Sequence, residues 1–137
     1  MIGLVVFTHG SLASSLLDTV AEVGGPLDAA VALEVSSGDD PATLAGKLAR
    51  AMDIVDSGDG VLVFVDLLGG TPWNTSISFM NSRNMDVLAG LNLPILIKCV
   101  LERKAKDPHK LARLLLEYGR DHLVQASELL YPAENDG

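Results

Sequence analysis

Residues 60–74 read GVLVFVDLLGGTPWN. The apolar run Gly60 to Val65 is too short for a good helix, is rich in valine, and ends abruptly at Asp66. Such a run reads as a strand buried on both faces. A glycine pair then marks a tight turn, and Thr71-Pro72 opens a helix, because the N–H that proline lacks would be unpaired in the first helical turn anyway. The stretch is therefore strand, turn and helix, with its polar residues gathered at the strand's carboxyl end.

The same grammar recurs on either side. Ile2 to Phe7 and Ala29 to Val35 are two further apolar runs of strand length, and Met85 to Ala89 reads as a fourth strand. Helical spacing fills the gaps: Leu12, Leu16, Leu17 and Val20 in the first, then Leu44, Leu48, Ala51, Met52 and Val55 in the second. Asp40-Pro41, Thr71-Pro72 and Asp107-Pro108 each read as a capping side chain followed by a first-turn proline. Leu93 to Glu102 reads as an apolar helix after Asn92, and Pro108 to Tyr118 as a helix that stops at Gly119. Strand alternating with helix predicts right-handed crossovers, hence an α/β fold whose mainly parallel sheet carries helices on both faces. Asp121 to Leu130 fits either a short strand or a helix. Residues 1–131 are expected to form one domain, and 132–137 a flexible tail.

At 137 residues, 48% hydrophobic and 20% charged, the chain can bury one substantial core. No apolar run approaches the ~20 residues that span a bilayer, and the first basic residue is Lys47, too late for a secretory signal. A cytoplasmic location is expected. The net charge is −8, and residues 1–97 hold 11 acidic residues against 3 basic ones. Nucleic acid and anionic membrane surfaces are poor partners for such a chain, whereas a basic protein would be attracted. The one cysteine, Cys99, excludes a disulfide framework and reads as a small buried apolar side chain.

In parallel α/β sheets ligands bind outside the carboxyl ends of the strands. Thr8-His9-Gly10-Ser11 follows the first strand and Asp66 follows the third. If those strands are neighbours, as in the order 2-1-3-4, His9 and Asp66 emerge side by side. Asp66 would then accept a hydrogen bond from one ring nitrogen and leave the other with a free lone pair, a nucleophile or a base. Gly69 and Gly70 would turn backbone N–H groups inward, and Thr71 would open a helix whose dipole favours an anion. The set suits a phosphoryl group on His9, with Gly69, Gly70 and Thr71 around it. No Gly-Lys-Ser or Gly-Lys-Thr phosphate loop exists, and no Gly-x-Ser-x-Gly elbow. A zinc site would need more ligands than His9 and Asp66 provide, because His109 and His122 fall on or after the distant last helix and read as surface residues. No Lys or Arg lies within ten residues of His9 or Asp66, unlike a phosphatase that clamps phosphate with arginines. Neither a metal nor an organic cofactor is expected.

Three motifs together, Thr8-His9-Gly10, Val65 to Asn74 and Ala89-Gly90-Leu91-Asn92-Leu93-Pro94, resemble the EIIA domain of the mannose family of the bacterial sugar phosphotransferase system. The resemblance covers most of the chain. It implies that His9 is phosphorylated by the phosphocarrier HPr, that Asp66 bonds the ring, and that Thr71 supplies a small hydroxyl next to the phosphate. It further implies a homodimer exchanging a C-terminal antiparallel edge strand, which would fall in Asp121 to Leu130. With no EIIB domain in the chain, the acceptor is expected to be a separate EIIB protein serving sugar uptake, and membrane contact only indirect, through transporter subunits. Leu67-Leu68 departs from relatives with a polar and an aromatic residue there. Two other roles share the His9 site: a regulatory phospho-acceptor that passes its group to nobody, and the phosphotransfer subunit of a dihydroxyacetone kinase system. Gly69-Gly70-Thr71-Pro72 and Asn92-Leu93-Pro94 favour the mannose type.

Overall fold

The computed structural model describes residues 1–104 and 107–133. Four parallel strands, β1 (Gly3–His9), β2 (Ala30–Val35), β3 (Val61–Val65) and β4 (Met85–Ala89), form one sheet in the order β2-β1-β3-β4. Six helices accompany them: α1 (Leu12–Gly24), α2 (Pro41–Val55), α3 (Thr71–Ile77), α4 (Leu93–Glu102), α5 (Pro108–Asp121) and α6 (Ala126–Leu130). The chain leaves β1 toward β2 on one side and returns past β1 to β3 on the other. Right-handed crossovers in opposite directions put α1 and α2 on opposite faces and open a switch point between the carboxyl ends of β1 and β3.

The two-residue alternation along each strand divides the core. Leu4, Val6, Leu62 and Phe64 pack on one face with Val20, Ile95, Leu96, Cys99, Leu111 and Leu115. Val5, Phe7, Val63 and Val65 pack on the other with Leu44, Leu48, Met52 and Val55. Cys99 is fully buried, and that burial pushes its thiol up to about 12. At the opposite end of the sheet from His9, the buried Arg103 donates from Nε to the Ile2 carbonyl (2.9 Å) and from its two Nη atoms to those of Asp28 and Ala29 (both 2.8 Å). Among the described residues no helix is long and apolar enough to cross a membrane.

Asp40 and Asp107 cap α2 and α5 as expected, accepting from the amides of Thr43 and Lys110, and Asn92 caps α4 through Ile95. Two local expectations are corrected. Thr71 is the first residue of α3 rather than its cap; that position belongs to Gly70, which offers no side chain. Gly119 does not stop α5, which runs on to Asp121. Its role is close approach: a Cβ there would stand 2.9 Å from Ile95 Cγ2 of α4. The helix closes instead at His122, whose Nδ1–H donates to the Tyr118 carbonyl at 2.8 Å while its ring stacks on that tyrosine. In the single chain Ala126–Leu130 is a short helix, one of the two readings open for Asp121 to Leu130, and none of its residues is buried. Of the expected tail, Pro132 and Ala133 are exposed and 134–137 lie outside the described residues.

Candidate functional site

His9 is the last residue of β1, and Asp66 follows the last residue of β3. The register Phe7↔Val65 sets the two strand ends level. One carboxylate oxygen, Asp66 Oδ2, then takes both the His9 backbone N–H, at 3.0 Å, and His9 Nδ1, at 2.9 Å. The other, Oδ1, accepts the amide of Leu67 at 2.9 Å. Burial alone would raise the Asp66 pKa, but the hydrogen bonds from the His9 backbone and ring, with the attraction of a charged ring, outweigh it and hold the carboxyl below its ordinary value. Asp66 is therefore ionised at neutral pH and can only accept. In neutral His9 the proton must lie on Nδ1, and Nε2 keeps its lone pair. The His9 side chain is 45% exposed and that of Asp66 only 12%, so the ring is presented to solvent while the carboxylate bonded to it is shielded.

The Asp66–Thr71 loop forms one wall. Gly69 has φ +82°, a conformation that side chains disfavour, and Asn74 Nδ2 holds its carbonyl at 3.3 Å. Gly70 lies against the imidazole: a Cβ there would stand 3.3 Å from His9 Cε1 and 3.5 Å from Leu67 Cβ. The Gly70 N–H, expected to face a phosphoryl group, is engaged by the Leu67 carbonyl at 3.3 Å. Thr71, first in α3 and exposed, has a backbone N–H with no intrahelical partner as well as its hydroxyl.

The other wall is the start of α1. Its N-cap residue Ser11 makes no side-chain capping bond. Thr8, which the sequence offers only as part of the Thr8-His9-Gly10 motif, and Glu34, which it did not single out, take over. Thr8, fully buried, accepts the Ala13 amide at 2.9 Å, and Glu34 of β2 accepts the hydroxyl of Ser14 at 2.9 Å and its amide at 3.4 Å. Glu34 is brought there by the register Thr8↔Glu34, which no reading of one segment supplies. The Ala13 and Ser14 amides at the α1 terminus are thus answered, the latter by a carboxylate that disfavours an anion beside it.

Leu12, expected in the core stripe, is 44% exposed, and Leu67 and Leu68 are 58% and 74% exposed. Leu12 fails the stripe because, as the first residue of α1, it stands beyond the sheet's carboxyl end. All three exposed leucines lie close in sequence to the paired residues, Leu12 three after His9 and Leu67 and Leu68 directly after Asp66. The remaining histidines lie elsewhere: His109 bonds Asp86 at 3.0 Å, and His122 caps α5. A cleft of about 230 Å³ between β4, α4 and α5, lined by Leu88, Ile95, Leu115, Gly119 and Leu123 among others, includes no residue of the His9 surface.

Residues 3–115 match the family model EIIA-man, described as the fructose IIA component of the phosphotransferase system. The chain is 31% identical over 105 residues to the fructose-specific EIIA component of Bacillus subtilis, covering 76% of this chain and 72% of that protein. It is also 31% identical over 123 residues to the mannose-specific EIIAB component of Escherichia coli, covering 88% of this chain but only 38% of that longer protein. Among solved structures, the EIIA component from Streptococcus agalactiae superposes with a TM-score of 0.83 at 26% identity, covering 93% of this chain and 98% of that one. The mannose/sorbose-specific IIA subunit from Enterococcus faecalis does so with a TM-score of 0.82 at 26% identity, covering 90% and 93%. With the family model spanning most of its length, the chain belongs to the mannose-type EIIA family of phosphotransferase system components.

Proposed function

We propose that this chain is a phosphoryl relay of sugar uptake, taking a phosphoryl group from phospho-HPr on His9 Nε2 and passing it to a separate EIIB protein. The observation that carries the reading is the Asp66 Oδ2 contact to His9 Nδ1, 2.9 Å, behind a half-exposed ring. The Nε2 lone pair attacks the donor's phosphorus. The donor's P–N bond breaks, and its electron pair returns to the donor imidazole. Nδ1 keeps its proton throughout, and the Asp66 carboxylate balances the positive character the ring gains. The step in the other direction hands the group to the acceptor, so tight holding would be counterproductive. A site without a lysine or arginine within ten residues, using the Thr71 N–H and hydroxyl beside Gly69 and Gly70, suits a group held only briefly.

Docking follows from charge and shape. The excess of acids in residues 1–97 attracts a basic partner, and Leu12, Leu67 and Leu68 offer it an apolar contact around His9. Contact with the membrane runs only through transporter subunits, and the relay works in the cytoplasm. Loss of labelling from phosphoenolpyruvate, enzyme I and HPr in His9→Ala tests the reading.

The working form is a homodimer in which a strand within residues 121–130 adds to the partner's sheet in antiparallel fashion. The observation favouring it is exposure: Leu123 at 90%, Val124 at 53%, Leu129 at 67%, Leu130 at 65% and Tyr131 at 79%. A five-residue helix with no buried residue has little to hold it and can unwind at small cost.

A further inference from the structure

We propose that Thr8 is a positioning residue for His9 phosphorylation, its hydroxyl fixing the turn that aims the imidazole; the inference rests on the phosphoryl relay reading above. Thr8 is fully buried at the end of β1, on the sheet face that carries Leu4 and Val6. Valine would fill that place without a polar atom to satisfy, so a buried hydroxyl there must be bonded. It is bonded twice. It accepts the Ala13 N–H at 2.9 Å and donates to the His9 carbonyl at 3.1 Å.

Those two bonds close the turn between β1 and α1 across Gly10, Ser11 and Leu12. Ser11 makes no capping bond and Gly10, at φ +58°, gives the chain freedom; the Glu34 bonds to Ser14 hold the helix start but do not reach His9, whose carbonyl only the Thr8 hydroxyl ties to the turn. His9 is consequently held at three points: its carbonyl by Thr8, and its amide and its Nδ1 both by Asp66 Oδ2. Because one oxygen serves the amide and the ring together, rotation of the His9 backbone shifts the ring against its acceptor. Without the hydroxyl, the His9 peptide can rotate, the Nδ1–H bond to Asp66 loosens, and the second tautomer gains population. That tautomer carries its proton on Nε2, where the lone pair is needed.

The test compares Thr8→Val, which keeps the shape, with Thr8→Ser, which keeps the hydroxyl. Two readouts apply: His9 imidazole ¹⁵N shifts, which report the tautomer, and the kinetics of labelling by phospho-HPr. Thr8→Val should show Nδ1 and Nε2 shifts moving toward each other and a maximal labelling rate lowered by about tenfold or more, with the half-saturating HPr concentration changed less than about twofold. Thr8→Ser should restore both readouts even though losing a buried methyl lowers its thermal stability. Wild-type tautomer and rate in Thr8→Val, whatever its melting temperature, would overturn the proposal. If Thr8→Val proves too unstable to purify, Thr8→Ser decides: a wild-type tautomer and rate support the hydroxyl's role, and a shifted tautomer with a slowed rate overturns it. The tautomer measurement needs no phosphoryl donor. A wild-type chain that takes no label would therefore sink the relay reading while leaving the Thr8 inference to be judged separately.

Discussion

Asp66 holds His9 by a single oxygen: Oδ2 lies 3.0 Å from the backbone nitrogen and 2.9 Å from Nδ1 of the same residue. The bond to the amide fixes where the strand ends, and the bond to the ring fixes which nitrogen faces outward. Asp66→Asn keeps an acceptor oxygen but loses the charge that balances the ring, and its amide group can swing round to present a donor instead. Labelling of His9 by phospho-HPr should slow by ~10²-fold or more without vanishing, the scale on which an orienting carboxylate contributes to histidine chemistry. Stopped-flow or quench-flow phosphorylation rates check this, and a wild-type rate would speak against the role given to Asp66.

The same carboxylate links stability to acid. Its folded-state pKa lies below the ordinary value, so at low pH the unfolded chain binds more protons than the folded one. The stabilisation is fully present above the ordinary carboxylate range and is lost as pH falls through the folded-state value. Asp39, Asp40 and Asp107 are shifted the same way, each chiefly by a backbone hydrogen bond, from Ser36, Thr43 and Lys110. The melting temperature of the wild type should drop as pH is taken below about 4, and the gap between wild type and Asp66→Asn should narrow over the same range. A gap that stays constant between neutral and acid pH would contradict the linkage.

Gly119 is predicted to resist substitution. In an exposed helix interior, Gly→Ala would gain about 1 kcal/mol. Here the new Cβ meets Ile95 Cγ2 at 2.9 Å, on a stiff, branched side chain that is itself buried. Overpacking of about 1–3 kcal/mol should outweigh the gain, so Gly119→Ala should be no more stable than wild type and Gly119→Leu clearly less so. Urea unfolding measures both, and a stabilised Gly119→Ala would show that α4 and α5 are not packed this closely.

The dimer has its own test. Sedimentation at micromolar concentration should give a dimer for the full chain, and truncation after His122, which keeps the α5 cap, should shift it toward monomer. A full chain that sediments as a monomer would contradict the exchanged strand.

Much of this was legible from local patterns. Apolar runs of strand length, first-turn prolines and the three side-chain caps depend on neighbouring residues alone, and they located all four strands and most helix starts. The pairing of His9 with Asp66 needed only the strand order. What escaped depends on residues far apart in sequence. Glu34 reaches α1 because β2 lies beside β1 in one register, and Arg103 spans from the end of α4 to the starts of β1 and β2. A glycine after a periodic helix looks like a terminator, and only the approach of α4 shows that Gly119 lies within α5. Thr8 was read only as part of the motif after the first strand, because nothing local shows that its hydroxyl reaches Ala13, five residues on.

Direct labelling decides whether His9 carries the phosphoryl group. Incubation with phosphoenolpyruvate, enzyme I and HPr should label the chain stoichiometrically, with an acid-labile, base-stable bond as expected of a phosphoramidate. His9→Ala should abolish the label, whereas His109→Ala and His122→Ala should keep it. Stoichiometric labelling that survives in His9→Ala would contradict the account.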